Sequence, residues 1–199
     1  MKIYDISQEV FGCEVFPGDP APEREVLAEI SKESPCNLSA FRMCAHNGTH
    51  VDAPFHFYEN GKAVHQMDLK KFIGNAYVTE HEGEVSAEDA LAIIERARDA
   101  DRQSVKRILI KGPAVVSADA ADVFIEAGIS LLGNESQTVG PEDAPMEVHL
   151  KLLGAEIVLL EGIRLGEVAE GVYFLNAAPI NLGGGDGAPC RATLIDMGK

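Results

Sequence analysis

The sequence predicts one α/β domain, and three observations support that prediction. The chain has 199 residues, enough to bury a sizeable core without requiring a second domain. Its composition, 46% hydrophobic and 25% charged, is that of an ordinary globular protein. Over residues 86–161, amphipathic helical segments alternate with short apolar runs, a pattern typical of helices packed on a β-sheet. We therefore expect a single domain spanning residues 1–199.

The N-terminal part of the chain predicts strands and loops, followed by a helix. A short first strand precedes the Pro/Gly-rich loop of residues 15–22, which needs a contact to hold it in one conformation. Residues 37–45 alternate partially between apolar and polar side chains and predict a strand that leads into a histidine-rich segment. A helix begins at Ser86, where Ser86 and Asp89 have the spacing of a capping box.

The C-terminal part alternates strands and helices. Gly128 and Gly154 mark the ends of two further helices, because glycine commonly follows the last helical residue. The polar loop of residues 133–138 is of the kind that carries functional groups. The predicted strands are residues 105–111, 129–132, 156–161, 173–175 and 191–196, and the predicted helices are residues 117–127 and a segment ending at 149–153.

Composition and charge exclude several classes of function. The formal net charge is −15, and neither Lys nor Arg forms a long run, so we expect no nucleic-acid partner. No apolar run approaches the length of a membrane span, and the N-terminus lacks the apolar core of a signal peptide. We therefore expect no membrane association and a cytoplasmic location.

Cysteine and glycine spacings exclude other sites. Cys13, Cys36, Cys44 and Cys190 show no CxxC spacing, so we interpret them as buried thiols in a reducing compartment. Cys44 is close enough in sequence to the histidines to line a site, although packing is its expected role. The glycine-rich loop of residues 183–187 lacks both GxGxxG and GK[ST] patterns, which argues against nucleotide binding.

Three of the six histidines lie within residues 46–56, with an aspartate among them. A uniform distribution would place about a third of a histidine in a window of that length. Imidazoles and a carboxylate together suit a divalent metal such as zinc or manganese. The cluster therefore predicts a metal-dependent hydrolase acting on a small molecule.

Local sequence predicts how this cluster presents its side chains. His46 and His50 have the i, i+4 spacing of helical metal motifs, but Asn47-Gly48 is a turn signal and Pro54 opposes a helix. A turn leading into an extended segment fits better. In an extended segment, His50 and Asp52 project to the same side.

Three ligands suffice for a catalytic metal, which leaves the role of His56 open. Its sequence position permits either metal ligation or service as the acid/base of hydrolysis. His149, near a helix end, and Glu161, at the end of an apolar strand, are the other candidate pair, and Glu161 is either exposed at the sheet edge or kept for a ligand. His65 and His81 lie in polar segments and are interpreted as surface residues.

The segment His-Asn-Gly-Thr-His-Val-Asp-Ala-Pro-Phe-His resembles the HxGTHxDxPxH signature of the cyclase-like metal-dependent hydrolases, whose best-known members are bacterial kynurenine formamidases. The resemblance extends to the early Pro-Gly-Asp loop, to residues 149–163, and to the closing element of residues 186–191. It implies a compact α/β structure around a barrel-like central β-sheet flanked by helices, of the swivelling β/β/α type. It also implies homodimers or higher homo-oligomers.

The resemblance further implies roles for single residues. His46, His50 and Asp52 would bind a first metal ion, and Asp52 would bridge to a second ion held by His149 and Glu161. His56 would be the catalytic proton donor and acceptor. The cofactor would be one or two divalent ions, zinc or alternatively manganese.

The substrate is less constrained than the metal chemistry. Kynurenine formamidases typically carry Trp immediately before Pro-Gly-Asp, whereas this chain has Phe16 there and no Trp at all. Relatives also often have Asp at the position of Glu135. We expect an arylformamidase that converts N-formylkynurenine to kynurenine and formate in tryptophan catabolism, with Phe16 against the substrate ring. The alternatives are hydrolysis of a cyclic amide or imide, as by isatin hydrolase, and a non-catalytic metal-binding protein.

Overall fold

The structure is a computed structural model and describes residues 1–198. It contains thirteen strands and three α-helices, joined by loops and short 3-10 turns. The strands are β1 (Lys2–Asp5), β2 (Glu23–Ala28), β3 (Leu38–Arg42), β4 (His50–Asp52), β5 (Ile73–Glu80), β6 (Gly83–Val85), β7 (Arg107–Lys111), β8 (Ala114–Val116), β9 (Leu131–Asn134), β10 (Val158–Glu161), β11 (Gly171–Asn176), β12 (Gly187–Pro189) and β13 (Thr193–Asp196). The helices are α1 (Ala87–Ala100), α2 (Ala118–Glu126) and α3 (Met146–Gly154).

Nine strands form one sheet in the order β1-β13-β11-β5-β7-β9-β10-β4-β12, which curls into a half-barrel. The four central strands, from β5 to β10, are parallel, and antiparallel strands flank them on both sides. The remaining strands form two separate pairs, β2 with β3 and β6 with β8. The predicted α/β class and barrel-like sheet with flanking helices are confirmed.

Both faces of the central strands are buried, as the apolar runs in the sequence require. Along β7, Ile108 and Ile110 pack with the helices, whereas Leu109 faces the inside of the curl. Along β10, Leu159 packs on the helical side, whereas Leu160 faces the inside. The core therefore has two layers, one on each side of the sheet.

The predicted start of α1 is confirmed in detail. The Ser86 hydroxyl accepts the Asp89 N–H, and the Asp89 carboxylate accepts the Ser86 N–H. This reciprocal arrangement satisfies two backbone donors that the first helical turn would otherwise leave free. The helix then buries Ala90, Ile93 and Ala97 against the sheet.

Several boundaries and environments differ from the predictions. β9 begins two residues later than expected, at Leu131, and the predicted strand of residues 37–45 is limited to Leu38–Arg42. That strand belongs to the exposed β2–β3 hairpin and not to the main sheet. His149 lies in the first half of α3 and not near its end, because the helix begins only at Met146.

The prediction of buried thiols is wrong for Cys36, which is exposed because it lies in the connection of the β2–β3 hairpin. Cys13 and Cys44 are half-buried residues, and the thiol of Cys190 is buried. The Cys44 thiol lies 3.7 Å from a carboxylate oxygen of Asp19.

Within residues 1–198, no helix is both long and apolar enough to cross a membrane.

The turn at Gly162, directly after β10, is hydrogen-bonded to two N-terminal segments of the chain. Its φ is +67°, a region that L side chains adopt at a cost, and an added Cβ would collide with the Gly48 carbonyl oxygen. The Gly162 carbonyl accepts hydrogen bonds from Thr49 Oγ1 at 2.7 Å and Gln8 Nε2 at 2.9 Å. The residue after Glu161 is therefore fixed directly to the segment that precedes His50.

We expect Gly162→Ala to lower the free energy of unfolding by roughly 2–4 kcal/mol, because the collision adds to the cost of left-handed backbone. Urea denaturation measures the change. The matched control is Gly166→Ala, since Gly166 has no positive φ and open space around its Cβ position. We expect the control to shift stability by less than about 0.5 kcal/mol. Equal effects of the two substitutions would contradict this account of the turn.

Candidate metal centre

Two antiparallel strands bring the central acidic and basic groups together. In the register of β4 and β10, His50 lies opposite Glu161 and Asp52 lies opposite Leu159. Residues directly opposite each other in an antiparallel pair share a face, and residues two apart on one strand do as well. His50, Asp52 and Glu161 therefore point to the helical side of the sheet, and α3 adds His149 from above. The predicted extended conformation of residues 50–52 is confirmed.

These four side chains are almost fully buried. The exposed fractions are 1% for His50 and Asp52, 2% for Glu161 and 4% for His149. The sequence left Glu161 either exposed at the sheet edge or kept for a ligand, and in the structure its side chain is buried. Buried ionisable groups require compensating partners, because an isolated charge in the interior is strongly unfavourable.

Backbone carbonyls fix the orientation of two imidazoles. His50 Nδ1 donates to the Gly48 carbonyl at 3.0 Å, and His149 Nδ1 donates to the Pro145 carbonyl at 2.8 Å. In both rings Nε2 is left to face the carboxylates. A histidine that ligates a metal commonly donates its other ring N–H in this way.

The spacing of the donor atoms fits metal coordination. His149 Nε2 lies 3.3 Å from Glu161 Oε1 and 3.7 Å from Asp52 Oδ2. His50 Nε2 lies 3.4 Å from Glu161 Oε2 and 3.5 Å from Asp52 Oδ1. Donors around a tetrahedral ion with bonds near 2 Å are separated by about 3.3 Å. The donor set therefore suits a divalent ion better than it suits direct hydrogen bonds.

Asp52 occupies the shared position of two potential ligand groups. One group is His46, His50 and Asp52, and the other is Asp52, His149 and Glu161. Its two oxygens divide between them, with Oδ1 toward His46 and His50 and Oδ2 toward His149. This arrangement permits a bridging carboxylate. The structure thus brings together all five residues predicted to bind metal.

His46 lies between two carboxylates. Its Nδ1 is 2.8 Å from Asp52 Oδ1, and its Nε2 is 2.9 Å from Asp186 Oδ2. Burial opposes protonation of the ring, but Asp186 and Asp52 outweigh it and raise the pKa of His46 to about 11. In the metal-free protein this imidazole is therefore cationic at neutral pH.

His56 stands apart from the innermost donors. It follows Pro54 in a short 3-10 turn, stacks on His46 with ring centroids 4.1 Å apart, and is 30% exposed at the side chain. Burial lowers the pKa of His56 below its ordinary value, and the neighbouring His46 contributes in the same direction. At neutral pH, His56 is neutral and can accept a proton.

The pKa values of His149 and Asp52 are also shifted, because both groups belong to the same cluster of charges. Burial opposes protonation of His149, yet Glu161 and Asp52 raise its pKa to about 9. The pKa of Asp52 is held well below its ordinary value, since His46 and the other imidazoles outweigh the effect of burial. These directions indicate a tightly paired set of charges.

An open cleft exposes one side of this cluster. Phe16, the predicted substrate contact, is half-buried and forms part of its wall. The cleft is lined by Phe16, Asp19, His46, His50, Asp52, His56, Phe57, Gln137, Thr138, Pro145, His149 and Glu161. His65 and His81 are not part of it. A small molecule can therefore reach both the metal donors and His56.

Sequence reasoning missed three residues at this site. Asp186 contacts both His46 and His56, although the sequence marked it only as part of a glycine-rich loop and of the closing element of residues 186–191, with no role assigned. Gln137 and Thr138 line the cleft, and among the described residues their side-chain polar atoms have no hydrogen-bond partner. The signal available for these two was their position in the polar loop after β9.

Comparison with known proteins identifies the family of this chain. A family model described as "Putative cyclase" matches residues 4–141. A curated kynurenine formamidase from Salinibacter ruber is 35% identical over 98% of both chains. A solved structure described as that of a potential metal-dependent hydrolase with cyclase activity is 26% identical, covers 100% of this chain and 99% of its own, and has a TM-score of 0.82.

A more distant structure shares the fold alone. Isatin hydrolase A from Labrenzia aggregata is 20% identical, with a TM-score of 0.81 over 97% of this chain and 93% of that chain.

We expect metal binding at pH 7 to release protons from His46 and His149. The pKa values of both, about 11 and about 9, lie above 7 in the metal-free protein, whereas a ligating imidazole must be deprotonated. Apparent affinity should therefore rise with pH from 6 to 8, roughly tenfold per unit for each proton displaced. Calorimetric titration with zinc in buffers of different ionisation enthalpy measures the release. His81→Gln is the control and should leave the number of protons released unchanged. Zinc binding without proton release would contradict the pairing of His46 and His149 with the carboxylates.

Proposed function

The chain belongs to the cyclase family, and from that premise we propose the reaction that its site performs. The protein is a metal-dependent hydrolase of carbon–nitrogen bonds other than peptide bonds. We propose that its substrate is an aryl formamide, as in the conversion of N-formylkynurenine to kynurenine and formate in tryptophan catabolism.

One observation supports this proposal above the others. A neutral histidine, His56, lies beside a buried set of metal donors and faces the same open cleft. A protein that only binds metal has no need of an additional base at that position. Hydrolysis needs both a polarising ion and a group that moves protons.

The proposed metal ligands are His46, His50, Asp52, His149 and Glu161. A bound divalent ion would polarise the substrate carbonyl and lower the pKa of water to near ~7. We propose zinc, because imidazole and carboxylate donors suit it, with manganese as the alternative ion. Asp52 has oxygens directed toward both donor groups, which supports one or two ions at the centre.

His56 is proposed as the proton carrier. Its depressed pKa keeps the imidazole neutral, so it can take a proton from the attacking water. Transfer of that proton to the departing nitrogen is required, because an amide anion is a poor leaving group. The ring is held by contacts with His46 and Phe57, whose centroids lie 4.1 and 4.7 Å away.

Phe16 is proposed to contact the aromatic ring of the substrate. It lies in the cleft wall together with Phe57, so an aryl group can pack against apolar surface there. The hydrogen-bonding groups of Gln137 and Thr138 lie in the same wall.

We further propose a cytoplasmic location, which fits the reducing environment expected for four unpaired cysteines.

A homodimer is proposed from the β2–β3 hairpin. Val26, Leu27 and Leu38 are each more than half exposed, at 53%, 52% and 53%, and Phe41 is 63% exposed. Among the residues that the structure describes, β2 and β3 pair only with each other, and they carry apolar side chains on an exposed ribbon. Exposed apolar side chains of this kind are typical of an interface, and we assign the hairpin to contact with a second copy of this chain.

We expect the zinc-loaded protein to hydrolyse N-formylkynurenine in preference to isatin. The measurement is release of formate from the first and ring opening of the second, under the same conditions and with manganese in a parallel series. Chelation of the metal should abolish turnover. Turnover of isatin without turnover of the formamide would replace the proposed substrate by a cyclic amide.

His56→Ala serves as the test of the proton carrier within the same assay. The variant should keep its metal, because His56 is not among the five proposed ligands, and should lose activity by roughly 10²–10⁴-fold. Elemental analysis of the dialysed variant reports metal content. Loss of metal together with activity would instead make His56 a ligand.

We expect Leu27→Glu to weaken dimerisation, because it places a charge in the proposed apolar interface. Size-exclusion chromatography with light scattering measures the molar mass across a dilution series. Leu69→Glu is a matched control, since Leu69 is similarly exposed, at 59%, but lies outside the hairpin. A monomeric wild-type protein, or equal behaviour of both variants, would exclude the hairpin interface.

A further inference from the structure

We propose that Asp186 is a positioning residue that fixes His46 and His56 relative to each other. This inference rests on the proposed function, in which His46 is a metal ligand and His56 carries the proton. Asp186 lies outside the five proposed ligands and does not itself line the cleft. Its effect on the reaction is therefore exerted through the two imidazoles that it contacts.

A single carboxylate oxygen makes both contacts. Asp186 Oδ2 lies 2.9 Å from His46 Nε2 and 3.3 Å from His56 Nδ1. An ionised carboxylate only accepts hydrogen bonds, so both ring nitrogens donate to it. The two rings consequently stack, with centroids 4.1 Å apart and an interplanar angle of 31°.

The backbone holds Asp186 in place for this role. Its carbonyl accepts the Ala53 N–H at 2.9 Å, and the next residue, Gly187, pairs with Asp52 in the β12–β4 register. The carbonyl of Gly185 accepts the Val64 N–H at 2.9 Å. Asp186 is thus anchored to the same strand that supplies the proposed ligands His50 and Asp52.

Gly187 gives the His46 ring the room it needs. A Cβ at Gly187 would lie 2.7 Å from His46 Cε1 and 2.7 Å from the Val51 carbonyl oxygen. The ring therefore packs directly on the backbone that follows Asp186. Close approach of this kind restricts the His46 ring to the orientation that Asp186 accepts.

The contacts define the hydrogen-bonding state of each ring. With His46 Nε2 donating to Asp186, Nδ1 is the atom turned toward Asp52, at 2.8 Å. With His56 Nδ1 donating to Asp186, Nε2 is left as the proton acceptor. A base whose second nitrogen is held by a carboxylate is a recurring arrangement in hydrolytic enzymes. Here one carboxylate serves the base and a metal ligand together.

Asp186→Asn is the test, because it removes the charge and one acceptor while keeping the shape of the side chain. The side chain is 44% exposed, so the substitution should preserve the fold. We expect kcat to fall by roughly 10–100-fold with KM within threefold, and zinc affinity to weaken by about tenfold. Asp99→Asn, at an exposed position of α1, is the matched control for loss of one charge.

Nitrogen-15 NMR of the zinc-loaded protein supplies a readout that needs no substrate. In the wild type, His56 should carry its proton on Nδ1, and in Asp186→Asn the Nε2-protonated tautomer should become populated. The proposal is overturned by a wild-type His56 protonated on Nε2, by an unchanged tautomer in the variant, or by unchanged zinc affinity.

The two hypotheses fail in different ways. If the wild type hydrolyses none of the amides, the proposed function is wrong, and the tautomer and zinc affinity still decide the role of Asp186. If the wild type is active and Asp186→Asn keeps kcat within twofold, Asp186 does not position the reacting groups and the proposed function stands.

Discussion

The site depends on mutual compensation among ionisable groups that water cannot reach. Asp52 and Glu161 are 1% and 2% exposed, and the imidazoles of His50 and His149 are buried beside them. Each of these groups alone would cost several kcal/mol to bury as an ion. Their nitrogen–oxygen separations of 3.3–3.7 Å are long for hydrogen bonds. A divalent cation held by these donors would compensate the buried carboxylates, so the same groups would serve both the stability of the interior and the proposed metal binding.

The change of strand direction after β10 is what brings these groups together. The parallel series ends at β10, and β4 then runs antiparallel to it, so that His50 meets Glu161 across the pair. The next strand, β12, is also antiparallel and sets Asp186 at the edge of the same group. Segments that are more than a hundred residues apart in sequence therefore converge through backbone pairing. The side chains need only short reach, which keeps their positions rigid.

The parts of the fold that were predictable are those with a strong local signal. The histidine-rich segment, the capping box at Ser86 and the apolar run ending at Glu161 each carry their pattern within a few residues, and each was predicted correctly in type. β5 was missed although it is central, because Gly74 and Asn75 interrupt its apolar pattern and its order comes from strands on both sides. Propensity is a weak guide where tertiary pairing decides.

The role of Asp186 was not predicted, because the family resemblance of residues 186–191 assigned it no contact and its local sequence does not indicate the two imidazoles that it meets. The proposed substrate contact Phe16 has a different structural origin from the proposed metal donors. Phe16 lies in a loop held by single contacts, such as the Asp19 N–H to the Phe16 carbonyl at 3.0 Å, and loops of this kind tolerate change. A kynurenine formamidase at 35% identity aligns along this chain, and isatin hydrolase A at 20% identity shares its fold. Because His50, Asp52 and Glu161 are set by strand pairing and Phe16 by a loop, a change at position 16 can alter the proposed substrate contact while these proposed metal donors stay in place.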